Sequence, residues 1–98
     1  MPSVSPAMAK EFVAECMWPG VRERDLHALD KRTVAEARRI SATGPPVRYL
    51  GSLLMREDEV VLCMFEGELD GIRATATAAG IPYDRLLESG RSPWQASE

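Results

Sequence analysis

Apolar positions repeat along the chain with two periods, and the change from one to the other marks out six elements. Lys10 to Trp18 carries Phe12, Val13, Ala14, Cys16 and Met17 and stops at Pro19-Gly20, a turn signal, so it reads as a strand. From Arg22 to Ile40 the apolar spacing becomes three and four: Leu26, Leu29, Thr33, Ala37 and Ile40 share one face of a helix. Arg24, Lys31, Arg32, Glu36 and Arg39 occupy the other face, and Gly44-Pro45-Pro46 ends the helix. Val47–Met55 and Val60–Phe65 read as two strands joined by the polar link Arg56-Glu57-Asp58-Glu59, short enough for a hairpin. A second, small-residue stripe of Leu69, Ile72, Ala76 and Ala79 predicts a helix capped by Gly80. A last strand is expected from Ile81-Pro82 through Tyr83, Leu86 and Leu87.

The order β-α-β-β-α-β is that of an α+β, ferredoxin-like domain, a four-stranded antiparallel sheet with two helices on one face. Right-handed crossovers give the strand order 4-1-3-2, with the first and third strands central. The third strand then poses a problem. In Val60, Val61, Leu62, Cys63, Met64 and Phe65 both alternating sets are apolar, whereas a sheet with one wet face alternates cleanly. The second strand behaves alike, with Leu50 and Leu54 expected on one side and Tyr49, Leu53 and Met55 on the other. A chain this short has no spare element to cover the second face. The cheapest cover is another copy, so the pattern predicts a homodimer through the open sheet face, in the manner of a dimeric α/β barrel.

Composition narrows the picture without redirecting it. Ninety-eight residues with 45% hydrophobic and 28% charged side chains suit a single domain. We expect its body at 9–88, with flexible tails at 1–8 and 89–98. Trp94 is the one large apolar side chain of the second tail, exposed there or anchoring that tail to the body or to a second subunit. A net charge of −3 argues against nucleic-acid binding. Val60 to Phe65 is far short of the ~20 apolar residues of a membrane span, and the first residues lack a signal-peptide pattern. A cytoplasmic, non-membrane protein is expected. Two cysteines are too few for a disulfide scaffold.

Candidate chemistry is sparse. Cys16 and Cys63 fall on the two central strands, where thiols act either as small buried hydrophobes or as ligands for a soft transition metal. Neither has CxxC spacing. His27 is the only histidine, and no GxSxG pattern surrounds Ser41 or Ser52, so acyl hydrolysis is not expected. Glu15 and Glu66 are strand carboxylates, either at solvated strand ends or facing one shared pocket. The Arg56–Glu59 tip reads as solvated. No glycine pattern of a phosphate-binding loop is present. Tyr49 and Phe65 supply aromatic surface for a dimer core or a small apolar ligand.

Three runs carry a family resemblance: Val47-Arg48-Tyr49-Leu50, then Val61-Leu62-Cys63-Met64-Phe65-Glu66, then Ala79-Gly80-Ile81-Pro82-Tyr83-Asp84-Arg85. With a first strand ending in Pro19-Gly20, the chain resembles a family of small bacterial proteins of unknown function that includes a nickel-binding, nickel-responsive member. The likeness covers residues 10–88. It implies a ferredoxin-like fold, a dimer and transition-metal binding, with Cys63 two positions before the aromatic Phe65. Gly51 and Thr75 stand where relatives often carry histidine, which removes two nickel ligands. The resulting expectation is a small dimeric binding protein for a transition metal such as nickel, held by Cys63 and Cys16, or for a small apolar ligand near Tyr49 and Phe65. The alternative is a cofactor-free dimeric α/β-barrel enzyme of the monooxygenase or cyclase kind, with Tyr49, His27 or Glu15 converging on a cavity.

Overall fold

The computed structural model describes residues 10–90; residues 1–9 and 91–98, Trp94 among them, lie outside the described part. The elements are β1 (Glu11–Met17), α1 (Glu23–Thr43), β2 (Val47–Met55), β3 (Val60–Gly67), α2 (Leu69–Ala79) and β4 (Arg85–Ser89). The strands form one antiparallel sheet in the order β2-β3-β1-β4. This is the ferredoxin-like α+β arrangement expected from the pattern, with β1 and β3 in the middle. The core lies between the sheet and the helices: Phe12, Ala14 and Cys16 of β1 and Val61, Cys63 and Phe65 of β3 meet Leu29 and Ala37 of α1 and Ile72 and Ala76 of α2.

Each helix follows its stripe. Leu29, Thr33 and Ala37 are buried along α1, and the Thr33 hydroxyl is satisfied by donating to the Leu29 carbonyl at 2.7 Å. α1 runs past Ile40 to Thr43 before Gly44 turns extended, because the residue before a proline is disfavoured in helical conformation. On α2, Gly80 adopts the left-handed conformation (φ 74°) and the Ile81 amide closes back onto the Ala76 carbonyl at 3.0 Å. The last turn of α2 has no basic residue of its own. Arg32 of α1 supplies the charge, its Nε donating to the Ala79 carbonyl at 3.1 Å, so this side chain joins the helices rather than simply facing solvent.

Three expectations need correction. β4 begins at Arg85, not at Ile81: Pro82 has no amide to give a ladder, the Tyr83 amide turns back to the Ile81 carbonyl, and pairing resumes only where Asp84 N–H reaches the Glu15 carbonyl at 2.8 Å. In β2 the register shifts between Tyr49 and Gly51, a bulge with Leu50 as the extra residue and Gly51 at φ 117°. The bulge moves Tyr49 to the helix side with Ser52 and Leu54, leaving Leu53 and Met55 on the other side, so strict alternation misassigns Tyr49. The hairpin tip is also more than solvated. Glu59 (φ 53°) accepts the Gly20 amide on its carboxylate and the Trp18 amide on its carbonyl, both at 2.9 Å, while Arg56 pairs with Glu23 of α1.

Candidate functional site

The sequence-named residues Cys16, Cys63, Tyr49 and Phe65 come together on the helix-covered face. Cys16 pairs with Val61 and Cys63 with Ala14, so the two thiols are diagonal neighbours on adjacent central strands. Both are free and completely buried. Contact with Cys63, then burial, pushes the Cys16 thiol far above its ordinary range. Cys63 moves the other way, because the neighbouring Cys16 thiol stabilises its thiolate against the opposing effect of burial. The Tyr49 ring lies 5.1 Å from that of Phe65 at 57°.

Tyr49 leads to a residue that the pattern alone did not single out. Its hydroxyl donates to Asp30 of α1 at 2.6 Å, and Ser52 donates to the other oxygen of the same carboxylate at 3.1 Å. Burial, and next the Asp30 hydrogen bond, raise the Tyr49 pKa well above its ordinary value. Asp30 borders the buried stripe, four residues after Leu26 and three before Thr33, and that position was its only signal. The carboxylate clamps α1 to β2. It also faces a cavity of about 350 Å³ shared with His27, Ser52, Glu23 and Arg56. Ser52 gives its proton to Asp30 and not to His27, which leaves no serine–histidine pair for acyl transfer among the described residues.

The donor set for a metal is incomplete. Cys16 and Cys63 supply two thiols, but the described residues contain no group of three or more His, Cys, Asp or Glu that could hold an ion. A structural zinc or related site takes four ligands. His27 is exposed on α1, and the buried Thr75 hydroxyl is spent on the Gly71 carbonyl at 2.8 Å. The nickel ligation implied by the resemblance does not fit this subunit's described residues alone.

A larger cavity, about 920 Å³, opens at the end of the sandwich where β1 starts and β4 finishes. Phe12, Pro46, Val47 and Leu69 form its apolar walls; Lys10, Glu68 and Glu88 are among the charged groups around it. Sequence reasoning missed this groove because its walls come from five separate stretches of chain.

The opposite face of the sheet carries no helix. Across it run Leu87–Val13–Met64–Gly51, then Arg85–Glu15–Leu62–Leu53, then Met17–Val60–Met55. Met17, Leu53, Met55 and Leu87 are 60, 50, 43 and 42% exposed, the large apolar side chains most open to solvent among the described residues. One carboxylate lies within this face: Glu15, on the central strand β1, between Val13 and Met17 and opposite Leu62. Glu15 pairs with Arg85 at 2.8 Å and Glu66 with Arg48 at 3.1 Å, so the two carboxylates do not share a pocket. His27 lines the small cavity beside Asp30, the partner of Tyr49, but Glu15 lies on the other side of the sheet, so the three groups proposed for an enzyme do not converge.

No protein-family model, curated protein or solved structure matches this chain. Among the described residues no helix is long and apolar enough to cross a membrane.

Proposed function

We propose that this protein is a small homodimeric binding module whose two copies pair through their open sheet faces, leaving each groove free for a small, largely apolar ligand. The observation that carries this reading is the open face itself. Four strands ~4.8 Å apart and about seven residues long, at ~3.3 Å each, give it a footprint of roughly 450 Å². Apart from the paired Glu15 and Arg85, the three rows across it are apolar, and the Glu66–Arg48 pair lies at the end of the sheet. A monomer's largest bare patch is of the order of 300–600 Å² and often functional, and a twofold partner with the same patch covers this one in full. The groove supports the ligand half: its volume lies in the usual range for small-molecule sites, and its walls are apolar with charged groups around them.

The ligand half is tested with the neutral apolar dye Nile red. Its fluorescence should rise with the wild-type chain and stay low with Leu69→Glu, which puts a charge into the groove wall; equal binding by both chains would remove the groove from the reading. A cytoplasmic setting belongs to the same proposal, supported by two free thiols within reach of one another.

The contact between Cys16 and Cys63 favours a second reading, soft-metal ligation in which further donors come from outside the described residues. Nickel titration followed by thiolate-to-metal absorption decides it. Loss of the band in Cys63→Ala supports ligation, and no band in the wild type removes it.

A further inference from the structure

Cys16 and Cys63 are buried nucleophiles that neither the open face nor the groove uses. The Cys16 thiol leans along β1, donating to the Ala14 carbonyl at 3.9 Å, and Ala14 is the register partner of Cys63. The two sulfurs therefore meet across the diagonal between β1 and β3. Diagonal neighbours hold their Cβ atoms roughly 6–7 Å apart, against ~3.8 Å in a disulfide, so a direct bond would need the strands to move. Sulfurs in contact across that diagonal stand ~4–4.5 Å apart. Two opposed metal–sulfur bonds of ~2.3 Å span nearly the same distance. The pair thus has the spacing of a bridge through one ion.

The class of ion follows from the donor count. Zinc takes four ligands, and nickel favours a square of nitrogen or oxygen donors. Thiolates select copper(I), whose filled d shell imposes no geometry and is satisfied by two sulfurs in line. Ala14 and Val61, the partners of the two cysteines across the β1–β3 ladder, supply no third donor. Ser52, the partner of Cys63 on β2, commits its hydroxyl to Asp30. Ser52 and Leu54 also line the cavity of about 350 Å³, and their β3 partners are Cys63 and Val61, so that cavity lies one strand from the thiols.

We propose that Cys16 and Cys63 bind one copper(I) ion between them as its only two ligands, with the small cavity at Ser52 as the way in. The ion replaces both thiol protons, which leave to solvent, and keeps its oxidation state. This rests on the soft-metal reading given above and narrows it to an ion that needs no donor beyond the two thiols; it depends on neither the dimer nor the groove.

The reduced wild-type chain is titrated with copper(I), without oxygen, against a chromogenic copper(I) chelator. It should retain one ion per chain and release two protons per ion. Cys16→Ala and Cys63→Ala should each lose the ion to the chelator while keeping the circular dichroism of the wild type. X-ray absorption on the wild-type complex needs no variant and should show two sulfur neighbours and no nitrogen or oxygen. Complete loss of copper from the wild type overturns the proposal, as does a Cys63→Ala chain that retains it equally, or a shell of three or more donors. One ion per two chains assigns the copper to a site between copies and also overturns it.

Nickel separates this proposal from the broader reading. A thiolate-to-nickel band with no copper retained contradicts the two-coordinate site and leaves soft-metal ligation with outside donors standing. Copper retained with no nickel band removes the outside donors and upholds the thiol pair as the whole site.

Discussion

Tyr49→Phe tests the polar clamp between helix and sheet while leaving the shape of the core unchanged. The substitution removes one oxygen, the donor of the 2.6 Å bond to Asp30, and keeps the ring that lies 5.1 Å from Phe65. A hydrogen bond to a charged group contributes ~1.5–3 kcal/mol. Asp30 keeps Ser52 and is only half-buried, so water recovers part of the loss and the lower end applies, about 1.5 kcal/mol. For a domain of this size that lowers the melting temperature by roughly 6–12 °C. Ser52→Ala, with the longer 3.1 Å bond, should cost less, about 1 kcal/mol. Urea unfolding followed by circular dichroism, at fixed protein concentration because any self-association would add to apparent stability, gives both values. A double-mutant cycle with Asp30→Ala then isolates the pair and should return a coupling of about 1 kcal/mol or more. A Tyr49→Phe variant within ~0.3 kcal/mol of wild type, with no coupling to Asp30, would refute the clamp.

Alkali probes the same residue through its proton. The folded protein holds the Tyr49 phenol neutral above its ordinary pKa of 10.0, so its contribution is complete below pH 10 and is lost as pH rises further. The loss is at most about 1.4 kcal/mol per pH unit, and Tyr49→Phe should flatten that part of a stability–pH curve; parallel curves would contradict the assignment. Two glycines separate crowding from backbone strain. Gly51→Ala meets open space at φ 117° and should cost ~1–3 kcal/mol. Gly67→Ala at φ 140° drives a methyl to 2.4 Å from the Pro46 carbonyl and should cost at least ~1 kcal/mol more, and equal costs would show that the β2–β3 end is looser than described.

What the sequence revealed depended on how local each cause is. The stripes of α1 and α2 follow from spacing within one helix, and Leu29, Thr33, Ile72 and Ala76 are buried as their period requires. The doubly apolar β3 is a central strand, with Val61, Cys63 and Phe65 buried under the helices and Val60, Leu62 and Met64 on the open face. Tyr49 defeated the same logic, because one bulge at Leu50 reverses the side of every earlier residue in β2. The Asp30 clamp and the groove stayed hidden for another reason. Asp30 reaches Tyr49 and Ser52 across 19 and 22 residues, and the groove wall joins residues from Lys10 to Glu88, so neither has a sequence period. Cys16 and Cys63 were intermediate: strand order put them on neighbouring strands, but only the register makes them diagonal neighbours on one face.

The pairing of open faces is the claim on which the proposed assembly rests, and sedimentation equilibrium across a concentration series tests it most directly. The wild-type chain should sediment at twice 10.8 kDa and dissociate only on dilution. Leu62→Glu, which places a second, unpaired carboxylate beside Glu15 in the middle of the open face, should sediment at 10.8 kDa over the whole series with unchanged circular dichroism. A wild-type protein that stays at 10.8 kDa at every concentration, or a Leu62→Glu variant as dimeric as the wild type, would contradict the account.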